Sequence, residues 1–328
     1  MATTTMTMAK ALNEGLRRAM EKDPKVLLMG EDIGKLGGVF RITDGLQKDF
    51  GQDRVVDTPL AESAIVGTAV GLAIRGYRPV CEMQFDGFVF PAFDQIVSQV
   101  AKLHKRSEGI YNMAMVIRLP FQGGIGAIEH HSESPEAYFA HTPGLRVVSC
   151  ATPNDAFWMI QQAIDSDDPI IFCEPKSRYW EKGEVDLDGP PRGLCEAELR
   201  REGSDVTVVG YGSSVKTILR AAEAAEAEGV SLEVIDLRGI SPVDYPVVVA
   251  SVLKTGRLIA VQEAPRSASV SSEIVAEVTQ RCFYSMRAPG VRVAGYHVPY
   301  PPARIEEDYR PSVDRILDAV DQVMGYGQ

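Results

Sequence analysis

Short apolar runs that alternate with amphipathic stretches constrain the fold of this sequence more than any other feature. They occur in two series, over residues 26–174 and again over residues 206–262. Continuous apolar runs are typical of strands buried on both faces, and helices between such strands make them parallel. The pattern therefore predicts an α/β protein in which each series forms a doubly wound sheet.

The two series predict two domains. At 328 residues the chain exceeds the size at which a single hydrophobic core keeps growing. Residues 177–204, between the series, are rich in charge, glycine and proline and show no periodicity, which is typical of a linker. We therefore predict one domain over residues 1–176 and a smaller one over residues 205–328.

The charge balance argues against a nucleic-acid-binding protein, because the formal net charge is −11 and phosphate binding needs clustered positive charge. The densest basic run, residues 102–106, is most simply a solvated helix end. No run approaches the length of a membrane span, and the N-terminus lacks the apolar region of a signal peptide. We expect a soluble protein with neither a nucleic acid nor a membrane as partner.

The cysteines predict neither a disulfide framework nor a metal site. There are five of them, an odd number, and none forms a CxxC pair. They are Cys81, Cys150, Cys173, Cys195 and Cys282. The first three lie in or beside apolar runs, which favours reduced core residues.

Several carboxylates lie where a parallel sheet places its ligands. Glu31 and Asp32 follow an apolar run over residues 26–29, and Glu62 opens a helix predicted over residues 62–75. Ligands of open parallel sheets bind at the carboxyl ends of the strands. A carboxylate beside an apolar helix needs a partner or is costly to bury. Capping of the helix by Glu62, and an ordinary turn at Glu31 and Asp32, are the alternatives.

Glycine and proline mark two further helix features. Gly67 and Gly71 are four residues apart on the Glu62 helix, which suggests close approach of another backbone, and we expect this contact to lie between subunits. Pro91 is predicted to open an amphipathic helix over residues 92–106, because proline suits the first helical position.

Three of the five histidines lie in one loop, at His130, His131 and His141. Three histidines in one loop favour acid–base chemistry. Metal binding is less favoured, because no acid or cysteine stands at a familiar ligand spacing. The loop begins with glycines at 123, 124 and 126, which would let the backbone approach a ligand closely.

A second glycine motif resembles a dinucleotide-binding fingerprint only in part. Gly210 and Gly212 follow an apolar run, and Asp236 lies further along the chain. Val215 stands where the third glycine is required. Nicotinamide binding is therefore not favoured.

Longer motifs connect the chain to a family. They are DTPLAE-x(4)-G from Asp57, EMQF-x(4)-FPAFDQIV from Glu82, HHSESPEAYFAHTPG from His130, EGSDVTVVGYG, EVIDLRGISPVD and KTGRLIAVQEAP. Together they resemble the beta subunit of thiamine-diphosphate-dependent 2-oxo acid dehydrogenases, the decarboxylating components of the pyruvate and branched-chain 2-oxo acid dehydrogenase complexes. The resemblance implies an N-terminal pyrimidine-binding transketolase-like domain and a smaller C-terminal transketolase-like domain.

The same resemblance implies roles for individual residues. Glu62 would bond the pyrimidine ring of thiamine diphosphate and favour its imino tautomer. Four further residues, Glu31, Leu60, Gln84 and Phe88, would lie near the cofactor. His131 would assist acyl transfer to a lipoyl group, although the adjoining His130 leaves the choice between the two open. A structural potassium ion is also implied, with backbone ligands at Ala114, Val116, Ile117, Ala163, Ser166 and Asp168.

The chain lacks the GDG-and-asparagine motif that would bind Mg²⁺ and the diphosphate. The resemblance therefore implies an alpha subunit that supplies this half of the site, within an alpha2-beta2 heterotetramer. The second implied partner is the lipoyl acyltransferase core of a multienzyme complex. A transketolase-like enzyme would carry both halves in one chain, and a non-catalytic assembly module would not need Glu62.

The motifs also bear on substrate and location. QF-x(4)-FPAFDQIV and HSESPEA resemble branched-chain members of the family, which predicts a substrate such as 3-methyl-2-oxobutanoate. Pyruvate is the alternative. We expect a bacterial cytoplasmic protein, or a mature chain of the mitochondrial matrix if the source is eukaryotic.

Overall fold

The computed structural model describes residues 3–189 and 191–326. The strands in these ranges are β1 (Thr3–Thr7), β2 (Val26–Gly30), β3 (Val55–Asp57), β4 (Arg78–Glu82), β5 (Val116–Phe121), β6 (Arg146–Ser149), β7 (Ile170–Pro175), β8 (Lys182–Asp186), β9 (Glu198–Arg201), β10 (Val206–Gly210), β11 (Leu232–Asp236), β12 (Gly239–Ser241), β13 (Leu258–Pro265) and β14 (Val291–Gly295).

The α-helices are α1 (Met8–Lys22), α2 (Leu46–Phe50), α3 (Glu62–Ile74), α4 (Leu103–Arg106), α5 (Glu136–Ala140), α6 (Pro153–Asp165), α7 (Ser214–Ala227), α8 (Tyr245–Thr255), α9 (Val270–Cys282), α10 (Glu306–Tyr309) and α11 (Val313–Met324). Short 3₁₀ segments lie at Asp86–Ala92, Glu129–His131, Lys176–Arg178, Phe283–Ser285 and Ala303–Ile305, and a π-helix lies at Gln95–Val100. No helix in the described ranges has the length and apolar character that a membrane crossing requires.

In the described ranges twelve strands form two parallel-dominated sheets, and β1 and β8 form a separate two-stranded antiparallel sheet. The first has the order β12-β6-β7-β5-β4-β2-β3, and only its edge strand β12 is antiparallel to its neighbour. The second has the order β14-β13-β10-β11-β9, again with one antiparallel edge strand, β9. The predicted α/β architecture with two doubly wound sheets is confirmed.

Hydrophobic packing covers both faces of the first sheet. One face packs against α1 and α6 and buries Leu12 and Phe157. The other packs against α3 and the π-helix and buries Val66 and Ile96. This second cluster continues into the other sheet through Ile235, so the two sheets share part of one core.

The stretch predicted as a linker contains two strands. β8 pairs antiparallel with β1, and β9 forms an edge of the second sheet. Both strands are polar in sequence because they lie at sheet edges with partly exposed side chains, so they show no apolar run. Strand β12 belongs in sequence to the second series but pairs with β6 of the first sheet. The division at residues 176 and 205 stays a prediction.

The helix predicted over residues 92–106 is wrong in form. The chain first makes the 3₁₀ segment Asp86–Ala92, which contains Pro91, and then continues as a π-helix. Only the last turn, α4, is a separate α-helix. Proline cannot donate a backbone hydrogen bond, so it is tolerated early in a helical segment, and that segment begins before Pro91 rather than at it.

The contact between α1 and α6 depends on a glycine. α1 begins after Thr7, whose side chain accepts a hydrogen bond from the Lys10 amide at 3.2 Å. A Cβ added at Gly15 would lie 2.7 Å from the Phe157 carbonyl oxygen, closer than a real Cβ lies to such an atom. The two helix backbones can approach this closely only because residue 15 has no side chain.

We therefore expect Gly15→Ala to lower the free energy of unfolding by about 1–3 kcal/mol, because the two helices must move apart. Gly67→Ala is the matched control, because a Cβ there would meet Gln95 at an ordinary 3.6 Å. That variant should gain up to about 1 kcal/mol from helix propensity. Urea unfolding of both variants measures the difference, and an equal effect at the two positions would contradict the packing argument.

Candidate active site

The carboxyl ends of three adjacent strands define the candidate site. In the order β4-β2-β3, Gln84 follows β4, Glu31 follows β2, and the connection after β3 leads to Glu62 at the start of α3. Parallel strands end at the same edge of a sheet, where ligands of such folds bind. The sequence prediction that these side chains lie at one edge agrees with this arrangement.

Glu31 is a buried carboxylate without a hydrogen-bond partner among the residues that the structure describes. Its side chain is 4% exposed, and neither carboxylate oxygen accepts a hydrogen bond. Burial, followed by the negative charges of Glu62 and Asp32, raises the pKa of Glu31 to about 7. A substantial fraction of Glu31 therefore carries its proton near neutral pH, and the group can donate or accept a hydrogen bond.

The side chains of Gln84, Glu62 and Leu60 differ in their hydrogen bonds and in their exposure. Gln84 donates to the Glu31 carbonyl at 3.4 Å and to the Asp32 carboxylate at 3.3 Å. Asp32 has a positive φ of 58°, so this contact supports an unusual turn. Glu62 is half-buried, and Leu60 is 83% exposed. An apolar side chain this exposed is available to a ligand or a partner chain.

An aromatic group lies next to Gln84 in the chain. The ring of Phe85 lies 4.3 Å from that of His131, and the ring of Phe88 lies 5.2 Å from it. Burial, followed by the charges of His130 and Lys176, lowers the pKa of His131. Its Nδ1 is buried without a partner. His131 is therefore a neutral imidazole at pH 7 that can accept a proton, whereas His130 is exposed.

A buried ion pair beneath this aromatic group was missed by the sequence analysis. Lys176 pairs with Asp86, and both side chains are fully buried. Burial raises the pKa of Asp86 to about 6 although Lys176 opposes the shift, and burial lowers the pKa of Lys176. In the sequence Lys176 is only a lysine after a strand, so no local pattern marks it.

The glycines that open the histidine loop do not face a ligand. The amides of Gly123, Gly124 and Gly126 donate to the carboxylates of Glu263 and Glu306. The expectation that these glycines let the backbone approach a ligand is therefore wrong, because two acids of the predicted C-terminal domain, residues 205–328, are the partners of their amides. His141 is separated from the other two histidines by α5 and lines a groove of about 1350 Å³ instead.

The partial dinucleotide motif is also used internally. The Ser213 amide donates to Gln122 at 3.0 Å, and the Tyr211 hydroxyl donates to Glu136 at 2.6 Å. Burial raises the pKa of the Glu136 carboxyl group to about 7. The turn after β10 therefore packs against the first sheet.

The six residues of the implied potassium site lie in two places. Ala114, Val116 and Ile117 lie in or just before β5, and Ala163, Ser166 and Asp168 lie in the end of α6 or just after it. Helix ends often leave carbonyl acceptors that suit a cation, but the Ala163 carbonyl already accepts a hydrogen bond from the Ser166 amide at 3.4 Å. The Ser166 carbonyl already accepts a hydrogen bond from Arg78 at 2.9 Å, so a cation would have to share it. The potassium site stays a prediction.

Comparison with known proteins agrees with this architecture. Residues 4–181 match the family Transketolase, pyrimidine binding domain, and residues 195–316 match Transketolase, C-terminal domain. A solved structure, a split-gene transketolase described as an inactive beta4 tetramer, superposes with a TM-score of 0.82 over 98% of this chain and 99% of that one. At 22% identity this likeness shows the fold alone.

Several bacterial relatives are much more similar. The pyruvate dehydrogenase E1 component subunit beta of Leifsonia xyli subsp. xyli is 59% identical over 98% of this chain and 96% of its own length. The 3-methyl-2-oxobutanoate dehydrogenase subunit beta of Mycobacterium tuberculosis is 49% identical over 98% and 93%. The pyruvate dehydrogenase E1 component subunit beta of Acholeplasma laidlawii is 44% identical over 95% of both chains.

The fold and the site thus define a transketolase-like protein with a pyrimidine-binding domain followed by a C-terminal domain. Within that class, the chain belongs to the family of beta subunits of the E1 component of 2-oxo acid dehydrogenases. The family resemblance read from the motifs is confirmed.

Proposed function

We propose that the chain decarboxylates a branched-chain 2-oxo acid on thiamine diphosphate, together with an alpha subunit, and that the complex transfers the acyl group to a lipoyl acyltransferase. The observation that carries this proposal is the pair Glu31 and Glu62 at the carboxyl edge of the first sheet. Glu31 is buried with both oxygens unpaired, as expected for a group whose partner comes from a bound molecule.

The residues present fit the aminopyrimidine half of the cofactor. When bound, thiamine diphosphate supplies a thiazolium ring that stabilises the carbanion left by decarboxylation. Glu62 would accept and return a proton at the pyrimidine ring nitrogen, since a carboxylate can do both. Leu60 and Phe88 would pack against the ring, and Gln84 supports the turn that carries Glu31.

His131 is proposed to serve the second half-reaction. Its neutral imidazole can take up and deliver a proton as the acyl group passes to the lipoyl sulfur. The contacts with Phe85 and Phe88 fix the ring, whereas the exposed His130 has a ring contact with Phe88 at 5.3 Å. This difference supports His131 over His130.

The proposed assembly is an alpha2-beta2 heterotetramer in which the alpha subunit binds the diphosphate and Mg²⁺. The outer face of α3 supports a partner, because the apolar helix leaves Ala64, Thr68 and Gly71 exposed. Apart from its chain neighbours and the nearby backbone of its own helix, no heavy atom of the described residues lies within 4 Å of a Cβ built at Gly71, so space for another backbone exists there. The acyltransferase core is the second proposed partner, and the bacterial cytoplasm the proposed location.

Two 2-oxo acids are candidates for the substrate. The motifs near Gln84 and His131, and the relative from Mycobacterium tuberculosis, support 3-methyl-2-oxobutanoate. The relative from Leifsonia xyli, with its higher identity, supports pyruvate as the second candidate. A larger apolar substrate gains about tenfold or more for each well-fitted methylene in a matching pocket.

A kinetic panel tests the choice on the chain purified with its alpha subunit. We expect kcat/KM for 3-methyl-2-oxobutanoate to exceed that for pyruvate by about tenfold or more. The panel should include 2-oxobutanoate, which has an intermediate size and should give an intermediate value. A preference for pyruvate would overturn the branched-chain proposal, and turnover of neither acid would overturn the proposed reaction.

A further inference from the structure

The loop that carries His131 is fixed at its first end by two acids of the predicted C-terminal domain, residues 205–328. We define the histidine loop as residues 122–133. The Gly123 amide donates to Glu263 at 2.5 Å, and the Gly124 and Gly126 amides donate to Glu306 at 2.6 and 3.2 Å. Both acids are nearly inaccessible, 1% and 5% exposed, so the accepting carboxylates of these hydrogen bonds are largely shielded from water.

The two acids are themselves firmly placed. Tyr300 donates its hydroxyl to Glu306 at 2.8 Å, and Arg310 donates to Glu263 at 3.2 Å. The loop is shaped to this surface, because a Cβ at Gly123 would lie 2.7 Å from a carboxylate oxygen of Glu306. Gly124 has a φ of +86°, which glycine adopts without strain.

The second end of the histidine loop is fixed by the buried ion pair. Asp86 accepts a hydrogen bond from the Glu133 amide at 2.5 Å and pairs with Lys176. The Lys176 ammonium lies 6.0 Å from the ring of Phe85, the same ring that packs against His131. One buried carboxylate thus connects the loop, the lysine and the aromatic contact of the histidine.

Between these ends the histidine loop has little support of its own. Ile128 is 64% exposed, and His130 is exposed as well. The single 3₁₀ turn Glu129–His131 is too short to be stable without its surroundings. The position of the His131 ring is therefore set by the two ends of the loop and by Phe85 and Phe88.

We infer that Glu306 and Asp86 are positioning residues for His131. They hold the histidine loop at its two ends and so keep the imidazole where it can transfer a proton during acyl transfer. The inference rests on the proposed role of His131. It also implies that the predicted C-terminal domain helps to position a residue of the acyl-transfer step. Glu306 reaches the loop from a short helix more than a hundred residues away in sequence.

Glu306→Gln tests the first end in the complex with the alpha subunit. The new amide nitrogen would present a donor to the Gly126 amide in place of an acceptor, so one end of the loop loosens. Decarboxylation, followed with the artificial electron acceptor 2,6-dichlorophenolindophenol, should stay within about twofold of the unchanged chain. Reductive acylation of a free lipoyl domain should fall by about tenfold or more, since the proton-transfer group is displaced.

Glu307→Gln is the matched control, because the neighbouring side chain on the same helix is 84% exposed and forms an exposed ion pair with Arg310 at 3.1 Å. It should leave both rates unchanged. If the two rates of Glu306→Gln fall in parallel, the residue has a general structural role, and the inference is wrong. An unchanged acylation rate would contradict it equally.

Hydrogen exchange on the purified chain separates this inference from the proposed function. Amide exchange across the histidine loop should become about tenfold faster in Glu306→Gln than in Glu307→Gln, because a shielded hydrogen bond is lost. Equal exchange in the two variants would overturn the positioning role. Should His131→Ala retain full lipoyl acylation while exchange does respond, the proposed role of His131 fails and the loop attachment stands.

Discussion

Glu62→Gln should lower the rate of 2-oxo acid decarboxylation by about 10²–10⁴-fold, the usual contribution of a positioned proton-transfer group. The amide keeps the size of the side chain but cannot exchange a proton with the pyrimidine ring of the cofactor. The rate is measured as CO₂ release by the complex with the alpha subunit at saturating thiamine diphosphate, so that weakened cofactor binding does not imitate lost chemistry.

Glu14→Gln provides the control for this prediction. Glu14 is also a half-buried helical glutamate, but it lies on α1 and pairs with Lys10. It should retain the full rate. If Glu62→Gln retains more than about a tenth of the activity in an intact complex, Glu62 is not the proton-transfer group, and an assembly role for the chain gains support.

Arg118→Met should destabilise the chain by about 3–5 kcal/mol, the second large effect that we expect. Arg118 is 1% exposed and lies between the carboxylates of Glu82 and Glu174, which come from the two strands beside β5. Tyr179 donates its hydroxyl to Glu174 at 2.7 Å, but this neutral group cannot balance two buried charges. Removal of the guanidinium leaves both acids uncompensated.

The loss should depend on pH. Burial raises the pKa of Glu82, and Arg118 opposes that shift. Without the arginine the pKa of Glu82 in the folded state rises further. The folded variant therefore keeps a proton on Glu82 up to a higher pH than the unfolded chain does. The penalty is therefore small at pH values below about 4.5 and grows as the pH rises through the neutral range. Denaturant unfolding at pH 5 and pH 8 measures this difference.

Arg146→Met is the control for the buried arginine. Arg146 pairs with Asp168 at 2.7 Å, but both side chains are about half exposed. Surface pairs of this kind contribute roughly 0–1 kcal/mol. A loss at Arg118 no greater than that at Arg146, or a loss that does not change with pH, would contradict the account of the buried cluster.

The sequence predicted the elements whose burial is uniform. β10 and β11 lie in the second of the two predicted series, and all five residues of each strand are buried. β8 and β9 were not recognised, because edge strands expose one side and keep a mixed, polar sequence. Pro91 was placed at a helix start, although the helical segment begins five residues earlier at Asp86.

Some residues of the candidate site could be predicted from the sequence, and others could not. Glu31 was singled out because it follows an apolar run, and Glu62 because it opens an apolar helix. Their roles at the cofactor were implied by the family resemblance. The partners of the histidine loop could not be found by such reasoning. Glu263 and Glu306 bind its amides across separations of 140 and 182 residues, and a partner this distant leaves no trace in local spacing.

Calorimetric titration of thiamine diphosphate with Mg²⁺ tests the central claim, a cofactor site shared between this chain and an alpha subunit, most directly. The account predicts saturable binding to the complex, weakened in Glu62→Gln, and no measurable binding to this chain alone. Binding to the isolated chain with the affinity of the complex would contradict a divided site, because one polypeptide would then hold both the pyrimidine and the diphosphate.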